Sequence, residues 1–388
     1  MFIIQTLNKI SAAGLDRLPH DLYEIASEII HPDAIIVRSH NMQDMKLTGS
    51  LKAIARAGAG VNNIPVEKCS ERGIVVFNTP GANANSVKEL VITGLFLSSR
   101  DILGGVQWAK TLIGSGDEVP KLIEKGKSQF AGPEIMGKKL GVIGLGAVGV
   151  MVANDAASLG LDVTGYDPFI SIESAWGLSR DVKKARGLDN LLSDSDYISL
   201  HVPLNEETEG MINHDRFAIM KKGVRLLNFA RGGLVRTKDL KEALKSGILG
   251  KYITDFPNEE LLKTDGVICI PHLGASSLEA EENCAVMAVD QIRNFLERGN
   301  IRNSVNFPNC EMDITGDWRL VIANRNIPAM VGQITAVLAD ERINIADMLN
   351  RSRGELAYNI IDIDGEISDR SIKKIRAIDG VLMVRVIE

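Results

Sequence analysis

The chain contains little cysteine for its length, and several whole classes of feature are missing. Four cysteines occur in 388 residues, Cys69, Cys269, Cys284 and Cys310, and their spacing fits neither a zinc site nor a disulfide framework. No apolar run approaches the roughly 20 residues that a membrane helix needs, and the first residues lack a basic, apolar secretion signal. The net charge of −6 shows no basic stripe. We therefore expect free thiols in a reducing, cytoplasmic compartment, and neither metal, nucleic acid nor membrane as a partner.

Short apolar segments alternate with helical stretches along most of the chain, which is typical of α/β architecture with parallel sheets. The length predicts two or three domains. The predicted early strands are Phe2–Leu7, Ala34–Val37, Lys52–Arg56 and Ile74–Phe77. The predicted later strands are Lys139–Ile143, Asp162–Tyr166, Tyr197–Val202, Arg225–Phe229, Lys251–Thr254 and Val267–Ile270, before a helix from about Ser277 to Arg298. Ligands of such sheets bind beyond the carboxyl ends of the strands.

The last part of the chain follows a different order. Periodicity disappears between Gly299 and Gly316, as in a linker. Beyond it the predicted elements run β-α-β-β-α-β, with a last strand at Val381–Ile387 and a helix capped by Asp369. This order predicts a small sandwich whose edge strands are suited to pairing with a second copy.

A dinucleotide fingerprint follows the strand at Lys139–Ile143. Gly144, Gly146 and Gly149 form a Gly-x-Gly-x-x-Gly turn before a helix, and Asp167 ends the next strand. The glycines allow a tight turn, close approach of the pyrophosphate and helix–strand packing, and the helix start binds phosphate. An acid at the position of Asp167 accepts from both ribose hydroxyls and repels a 2′-phosphate. The sequence therefore predicts a site for NAD rather than NADP.

Three further strand ends carry the residue types that hydride transfer from an alcohol requires. Arg231 precedes two glycines, Glu259 follows Asp255 in an acidic loop, and His272 follows a proline. A histidine acts as base, a carboxylate stabilises its protonated form, and an arginine binds carboxylate and carbonyl oxygen together. Each also has a structural interpretation: Arg231 as a surface residue, Glu259 or Glu260 as solvated, and His272 as a structural histidine.

These segments resemble the D-2-hydroxyacid dehydrogenase family over about the first 300 residues. The matching segments are Val37–Ser39, Arg56–Asn63, Asn78–Pro80, Gly144–Gly149 with Asp167-Pro168, His201–Leu204, Asn228–Gly233 and Pro271–Ala275. The resemblance implies that Arg231, Glu259 and His272 are the catalytic residues, although the loop before Glu259 is one residue shorter than usual. It implies further cofactor contacts at Ala147, Val148, His201, Pro203, Ala230, Asp255, His272 and Gly274.

The resemblance also assigns domains and a substrate side. Residues 1–93 and 283–300 are expected to form the substrate domain, 94–282 the NAD domain, 301–316 a linker and 317–388 a module resembling an ACT domain. Expected substrate contacts are Arg38, Ser39, Arg56, Gly58, Gly60, Asn83 and Arg231, with ion pairing as the alternative role of Arg38 and Arg56. ACT domains bind amino acids, so Asn324 and Asn326 are predicted effector contacts, although Ala329 replaces the usual glycine.

The resemblance implies NAD-dependent oxidation of D-3-phosphoglycerate, the first step of L-serine synthesis, by a homodimer or homotetramer with L-serine as a possible effector. Two alternatives stay open. One is a glyoxylate or hydroxypyruvate reductase of the same family. The other is a binding protein that senses NAD, as corepressors with this fold do.

Overall fold

The computed structural model describes all 388 residues. They divide into two compact units, one formed by Met1–Asn83 with Leu278–Glu388 and the other by Ala84–Ser277. No helix combines the length and the apolar character needed to cross a bilayer.

The first unit begins with a parallel sheet of five strands in the order β2-β1-β3-β4-β5. Its strands are β1 (Phe2–Leu7), β2 (Tyr23–Ala26), β3 (Ala34–Val37), β4 (Ala53–Arg56) and β5 (Val75–Phe77), with helices α1 (Ala12–Leu15) and α2 (Val66–Glu71) between them. Strands β3 to β5 are buried almost throughout, because helices or loops cover both faces of the sheet. The sequence prediction missed β2, a short strand at the sheet edge that lacks an apolar run.

The second unit is a parallel sheet of seven strands in the order β12-β11-β10-β9-β6-β7-β8. Its first helices are α3 (Ala84–Ser99), α4 (Ile102–Lys110) and α5 (Val119–Gly126). The alternating elements that follow are β6 (Lys139–Ile143), α6 (Ala147–Ser158), β7 (Asp162–Tyr166), α7 (Ile172–Gly177), β8 (Lys183–Lys184), α8 (Leu188–Asp194), β9 (Tyr197–Leu200), α9 (His214–Ala218), β10 (Val224–Asn228), α10 (Thr237–Lys245), β11 (Leu249–Thr254), α11 (Glu259–Leu262) and β12 (Val267–Cys269). Three 3₁₀ turns lie at Gly116–Glu118, Lys127–Phe130 and Gly232–Leu234.

The chain enters the second unit at Ala84, ten residues before the expected boundary at 94. Helix α3 explains this position, because Gly94 on that helix lies against the Phe229 and Leu227 side chains; a Cβ there would come within 3.0 Å of the Phe229 ring. Val91 and Leu95 of the same helix belong to the apolar core of the seven-stranded sheet. The whole helix therefore packs with the second unit.

The chain returns to the first unit with α12 (Leu278–Arg298), whose buried face packs on the five-stranded sheet. The C-terminal module then forms an antiparallel sheet in the order β14-β15-β13-β16. Its elements are β13 (Trp318–Arg325), α13 (Met330–Asp340), β14 (Asn344–Arg353), β15 (Leu356–Asp364), α14 (Asp369–Arg376) and β16 (Val381–Ile387). Two doubly wound parallel sheets and a βαββαβ module are thus confirmed. The predicted cap of α14 was wrong: Ser368, not Asp369, accepts from the Ser371 N–H.

The two faces of the C-terminal sheet have different neighbours. One face packs against α13 and α14 through side chains such as Ile322, Ile361 and Ile375. The opposite face, including Val321 and Tyr358, belongs to the same core as Phe77 and Phe295 of the rest of the unit. The Tyr358 hydroxyl donates to the Gly299 carbonyl (2.8 Å), and Arg385 lies 4.6 Å over the Phe295 ring. The module is therefore built into the first unit.

Candidate active site

The glycine turn after β6 has a backbone that side chains would disrupt. Gly144 has φ +89°, and a Cβ there would lie 2.6 Å from the His201 carbonyl oxygen. A Cβ on Gly149 would lie 1.9 Å from the Gly144 carbonyl oxygen. A Cβ on Gly146, by contrast, would meet nothing within 4 Å. The turn therefore leaves open space in front of the amino end of α6, where unpaired N–H groups favour a phosphate.

Asp167 lies beside this turn at the end of β7. Its Oδ2 accepts from the Leu145 N–H and its Oδ1 from the Phe169 N–H, each at 2.8 Å. These two bonds fix the carboxylate plane, and each oxygen keeps acceptor capacity for a ribose hydroxyl. The fixed negative charge disfavours a phosphate at the same place.

Arg231 is presented by a turn that a buried asparagine holds. Asn228, the last residue of β10, is fully buried, and its Oδ1 accepts from the Ala230 and Arg231 N–H groups (3.2 and 3.3 Å). Its Nδ2 donates to the Arg231 carbonyl oxygen (2.9 Å) and to the Tyr252 hydroxyl (3.0 Å). The Arg231 side chain is exposed and enters no ion pair, so its planar cation is available to an anion. The sequence interpretation assigned no role to Asn228, although it ends a strand directly before the arginine.

Asp255 is a buried carboxylate at the end of β11, with 1% of its surface exposed. Its Oδ1 has no hydrogen-bond partner within the chain. Burial raises the pKa of Asp255, while the charges of His272 and Arg231 and the Gly274 backbone N–H act to lower it. Asp255 is thus near enough to both Arg231 and His272 to interact with each electrostatically at one edge of the seven-stranded sheet.

The structure places His272 and Glu259 differently from the predicted pair. The His272 ring is exposed and packs against the Phe256 ring, with 4.8 Å between centroids. Glu259 opens α11 behind its cap Asn258, has a side chain that is 82% exposed, and forms an ion pair with Lys263. No hydrogen bond of the structure joins Glu259 or Glu260 to His272, and Glu260 binds Lys241 (2.6 Å). The role of a glutamate as partner of His272 stays a prediction.

The predicted substrate contacts in the first unit already have partners there. Arg38 Nη2 binds Glu281 Oε1 at 2.6 Å, with both side chains 40% exposed. Arg56 Nε donates to the Arg38 carbonyl oxygen (3.0 Å), and its Nη1 donates to the Gly60 carbonyl oxygen. The Ser39 N–H is held by Asn8 Oδ1 at 3.0 Å. Gly58, Gly60 and Asn83 lie in the loops after β4 and β5. The ion pair of Arg38 favours the structural alternative for that residue, and the substrate contacts stay predictions.

Comparison with known proteins places these features in a family. Residues 107–274 match the D-isomer specific 2-hydroxyacid dehydrogenase NAD-binding domain. D-3-phosphoglycerate dehydrogenase of Haemophilus influenzae is 31% identical over 401 residues, covering 98% of this chain and 94% of that protein. The chain belongs to the D-isomer specific 2-hydroxyacid dehydrogenase family.

Other members of the family differ from this chain in length. D-3-phosphoglycerate dehydrogenase of Methanocaldococcus jannaschii is 34% identical over 88% of this chain, which spans 63% of that protein. The chain likewise spans 58% of the Archaeoglobus fulgidus enzyme of the same name, at 35% identity. A crystal structure of NAD⁺-bound 3-phosphoglycerate dehydrogenase from Entamoeba histolytica has a TM-score of 0.61 and 26% identity, covering 79% of this chain and 98% of that one.

The residues present fit NAD, the cofactor of this dehydrogenase family. The open space at Gly146 suits the pyrophosphate, and the fixed carboxylate of Asp167 suits the adenosine ribose. The partnerless Oδ1 of Asp255 is a buried acceptor that an amide N–H, such as that of a nicotinamide carboxamide, would satisfy. Ala147 and Val148 form the first turn of α6. The sequence prediction of NAD is confirmed.

His201 lies beneath the glycine turn of the family fingerprint. Its backbone N–H donates to the Ile143 carbonyl oxygen (2.7 Å), and its Nε2 is 2.8 Å from Ser199 Oγ. Burial lowers the pKa of His201 to about 4, so the ring is neutral at pH 7. These contacts give His201 a structural role; its predicted cofactor contact, like those of Pro203, Ala230 and Gly274, stays a prediction.

The two predicted effector asparagines have different surroundings. Asn324 is 1% exposed, and its Oδ1 accepts from Asn359 Nδ2 (2.7 Å) inside the C-terminal sheet. Asn326 is exposed and donates to the Gly354 carbonyl oxygen (3.0 Å). Ala329, in place of the family glycine, has φ +69°, a left-handed conformation that strains a residue with a Cβ. The Asn324 amide is therefore engaged within the sheet, whereas Asn326 lies at the surface.

Proposed function

We propose that the protein oxidises D-3-phosphoglycerate to 3-phosphohydroxypyruvate with NAD, the first step of L-serine synthesis. The observation that carries the proposal is the grouping of Arg231, Asp255 and His272 at the edge of the sheet that holds the glycine turn. Curated relatives of comparable length that are named for this reaction support the choice of substrate.

The chemistry follows from the residues of this edge. His272 takes the proton of the substrate C2 hydroxyl, because imidazole is a base that works near neutral pH. Arg231 binds the substrate carboxylate through two parallel N–H donors and holds C2 in place. NAD, when bound, supplies the acceptor for the hydride. Asp255 provides a nearby negative charge that stabilises the protonated imidazole, and Glu259 remains the predicted hydrogen-bond partner of that ring.

The phosphate of the substrate requires cations besides Arg231. Arg38 and Arg56 supply them in this proposal, with backbone N–H groups of Gly58 and Gly60 and with Ser39 and Asn83 as polar contacts. Arg38 retains donors beyond the Nη2 bond to Glu281. That bond occupies part of the Arg38 guanidinium and leaves less of it for a phosphate. Reduction of glyoxylate or hydroxypyruvate, which carry no phosphate, is therefore the competing activity.

A panel of substrates tests the proposal. Purified protein is assayed for NAD and NADP reduction with D-3-phosphoglycerate, and for NADH oxidation with glyoxylate and hydroxypyruvate. We expect the highest kcat/KM with D-3-phosphoglycerate and NAD, and loss of at least 100-fold, roughly the share of a general base, in His272→Ala. NADH binding by that variant, followed by fluorescence, should persist. Rapid glyoxylate turnover without phosphoglycerate oxidation would assign the competing activity, and NADH binding without any turnover would indicate an NAD sensor.

The same preparation tests the expected effector and assembly. We propose that L-serine binds the C-terminal module near Asn326 and that the chain forms a homodimer or homotetramer in the cytoplasm. All four cysteines are free thiols, which suits a reducing compartment. Light scattering gives the assembly. Inhibition by L-serine that Asn326→Ala abolishes would support the effector site, and activity unchanged by L-serine would remove it.

A further inference from the structure

The aromatic side chain against the proposed base has no role in the function described so far. Phe256 follows Asp255 at the end of β11, and its N–H donates to Thr254 Oγ1 at 3.1 Å. Its ring and the His272 ring lie 4.8 Å apart between centroids with 56° between planes. His272 enters no hydrogen bond or ion pair within the chain, so this ring contact is what orients the imidazole.

Phe256 also adjoins the turn that carries the anion-binding arginine. A Cβ on Gly232, the residue after Arg231, would lie 3.3 Å from the Phe256 Cβ. A cavity of about 310 Å³ adjoins the phenylalanine and is lined also by Gly232, Tyr252 and Leu261. Loss of the ring would therefore extend this cavity toward the place where the Phe256 ring meets His272.

The acidic loop before β12 does not hold this imidazole in the structure. Glu259 forms its ion pair with Lys263, and Glu260 binds Lys241 (2.6 Å). The buried carboxylate of Asp255 acts on His272 as a nearby charge. The contact with the Phe256 ring is therefore the one that fixes the plane of the imidazole.

We propose that Phe256 is a positioning residue for His272: its ring holds the plane of the imidazole during turnover. The proposal rests on the function proposed above, and it names a determinant of its rate that lies outside the predicted Arg, Glu and His set.

The test compares Phe256→Leu, which removes the ring, with Phe256→Tyr, which keeps it. Phe130→Leu is the matched control, because Phe130 packs on Trp108 at 5.4 Å between centroids in the same unit. The His272 Cε1–H resonance, assigned with His272→Ala, should move in Phe256→Leu because the ring current is lost. It should stay in place in the control. Gly232→Ala, which pushes on Phe256 without removing it, should shift the same resonance by a smaller amount.

The kinetic expectations separate positioning from general damage. In Phe256→Leu we expect kcat to fall about tenfold with little change in KM, since a displaced base slows the chemical step. Phe256→Tyr keeps the ring, so its kcat and its His272 resonance should stay near the wild-type values. A Phe256→Leu variant that matches the Phe130→Leu control in resonance and rate would overturn the proposal, as would a Phe256→Tyr variant that loses as much as Phe256→Leu.

A wild-type protein that fails to oxidise any hydroxy acid would remove the proposed function. The displacement of the His272 resonance would still report whether Phe256 orients that ring. The two failures are therefore distinguishable.

Discussion

Replacing Asp362 with asparagine would leave a fully buried arginine without its counter-charge. Arg319 and Asp362 have side chains that are 1% and 0% exposed and are joined by two hydrogen bonds of 2.6 and 2.8 Å. Arg319 also donates to three backbone carbonyl oxygens, those of Arg298, Met312 and Asp313, at 2.8 to 2.9 Å. The pair thus ties β13 and β15 to the end of α12 and the linker.

The magnitude follows from these contacts. Removing one partner of a buried ion pair costs about 3 to 5 kcal/mol, so Asp362→Asn should lower the free energy of unfolding by about that amount. Arg319→Met should cost about as much. The double variant Arg319→Met/Asp362→Leu strands no charge. It deprives three carbonyl oxygens of donors, at roughly 1 kcal/mol each, and the exposed Thr315 of its acceptor at a smaller cost, or about 3 to 4 kcal/mol in total. The summed losses in the free energy of unfolding of the two single variants should therefore exceed the loss in the double variant by several kcal/mol.

Urea denaturation followed by circular dichroism measures these values. Lys183→Met is the control, since its pair with Asp162 is exposed and should be worth less than about 1 kcal/mol. Burial raises the pKa of Asp362, but hydrogen bonds from Arg319 and Thr315 outweigh it and leave that pKa below its ordinary value. The stabilisation is therefore present above about pH 4, the unfolded value, and is lost as pH falls through the lower folded value. Additive single effects would refute this account of the pair.

Three further predictions concern single positions. Ala329→Gly should stabilise the protein by about 0.5 to 1 kcal/mol in the same urea assay, because it relieves a left-handed φ of 69°; destabilisation would show that the Cβ is needed. Gly149→Ala should weaken NADH binding more than tenfold, since its Cβ would lie 1.9 Å from a carbonyl oxygen; unchanged fluorescence titration would contradict the geometry. Asp167→Ser should narrow the preference for NAD over NADP about tenfold in kcat/KM, because the fixed negative charge is gone; an unaltered ratio would place the ribose elsewhere.

Local features of the sequence were sufficient to predict the dinucleotide unit. The glycine turn and Asp167 follow from strand, turn and helix signals within about thirty residues. Strand β2 was missed because it has only four residues and Glu24 interrupts its apolar side chains. Strand β8 was missed because it is two exposed lysines paired at the sheet edge. The position of Ala84 as a boundary depends on which sheet buries α3, which no local pattern records.

The sequence predicted which residues lie at the site better than it predicted the contacts of their side chains. Arg231, Asp255 and His272 follow strand ends, so their convergence could be expected from the parallel sheet. The direction of the Glu259 side chain could not, because it depends on a cap at Asn258 and on a salt bridge to Lys263. The sequence predicted Asn324 as an effector contact, yet its position in β13 places its side chain in a buried amide pair with Asn359.

The shared core of the C-terminal sheet and the first unit limits how this chain can be dissected. A truncation before Trp318 would expose the apolar surface around Phe77 and Phe295 to water and would remove Tyr358 and Arg385, the partners that cap the end of α12. Such a fragment is prone to aggregate, so inactivity after truncation would carry no information about regulation. Exchange of the module between relatives would likewise require its inward face and the surface beneath it to be exchanged together.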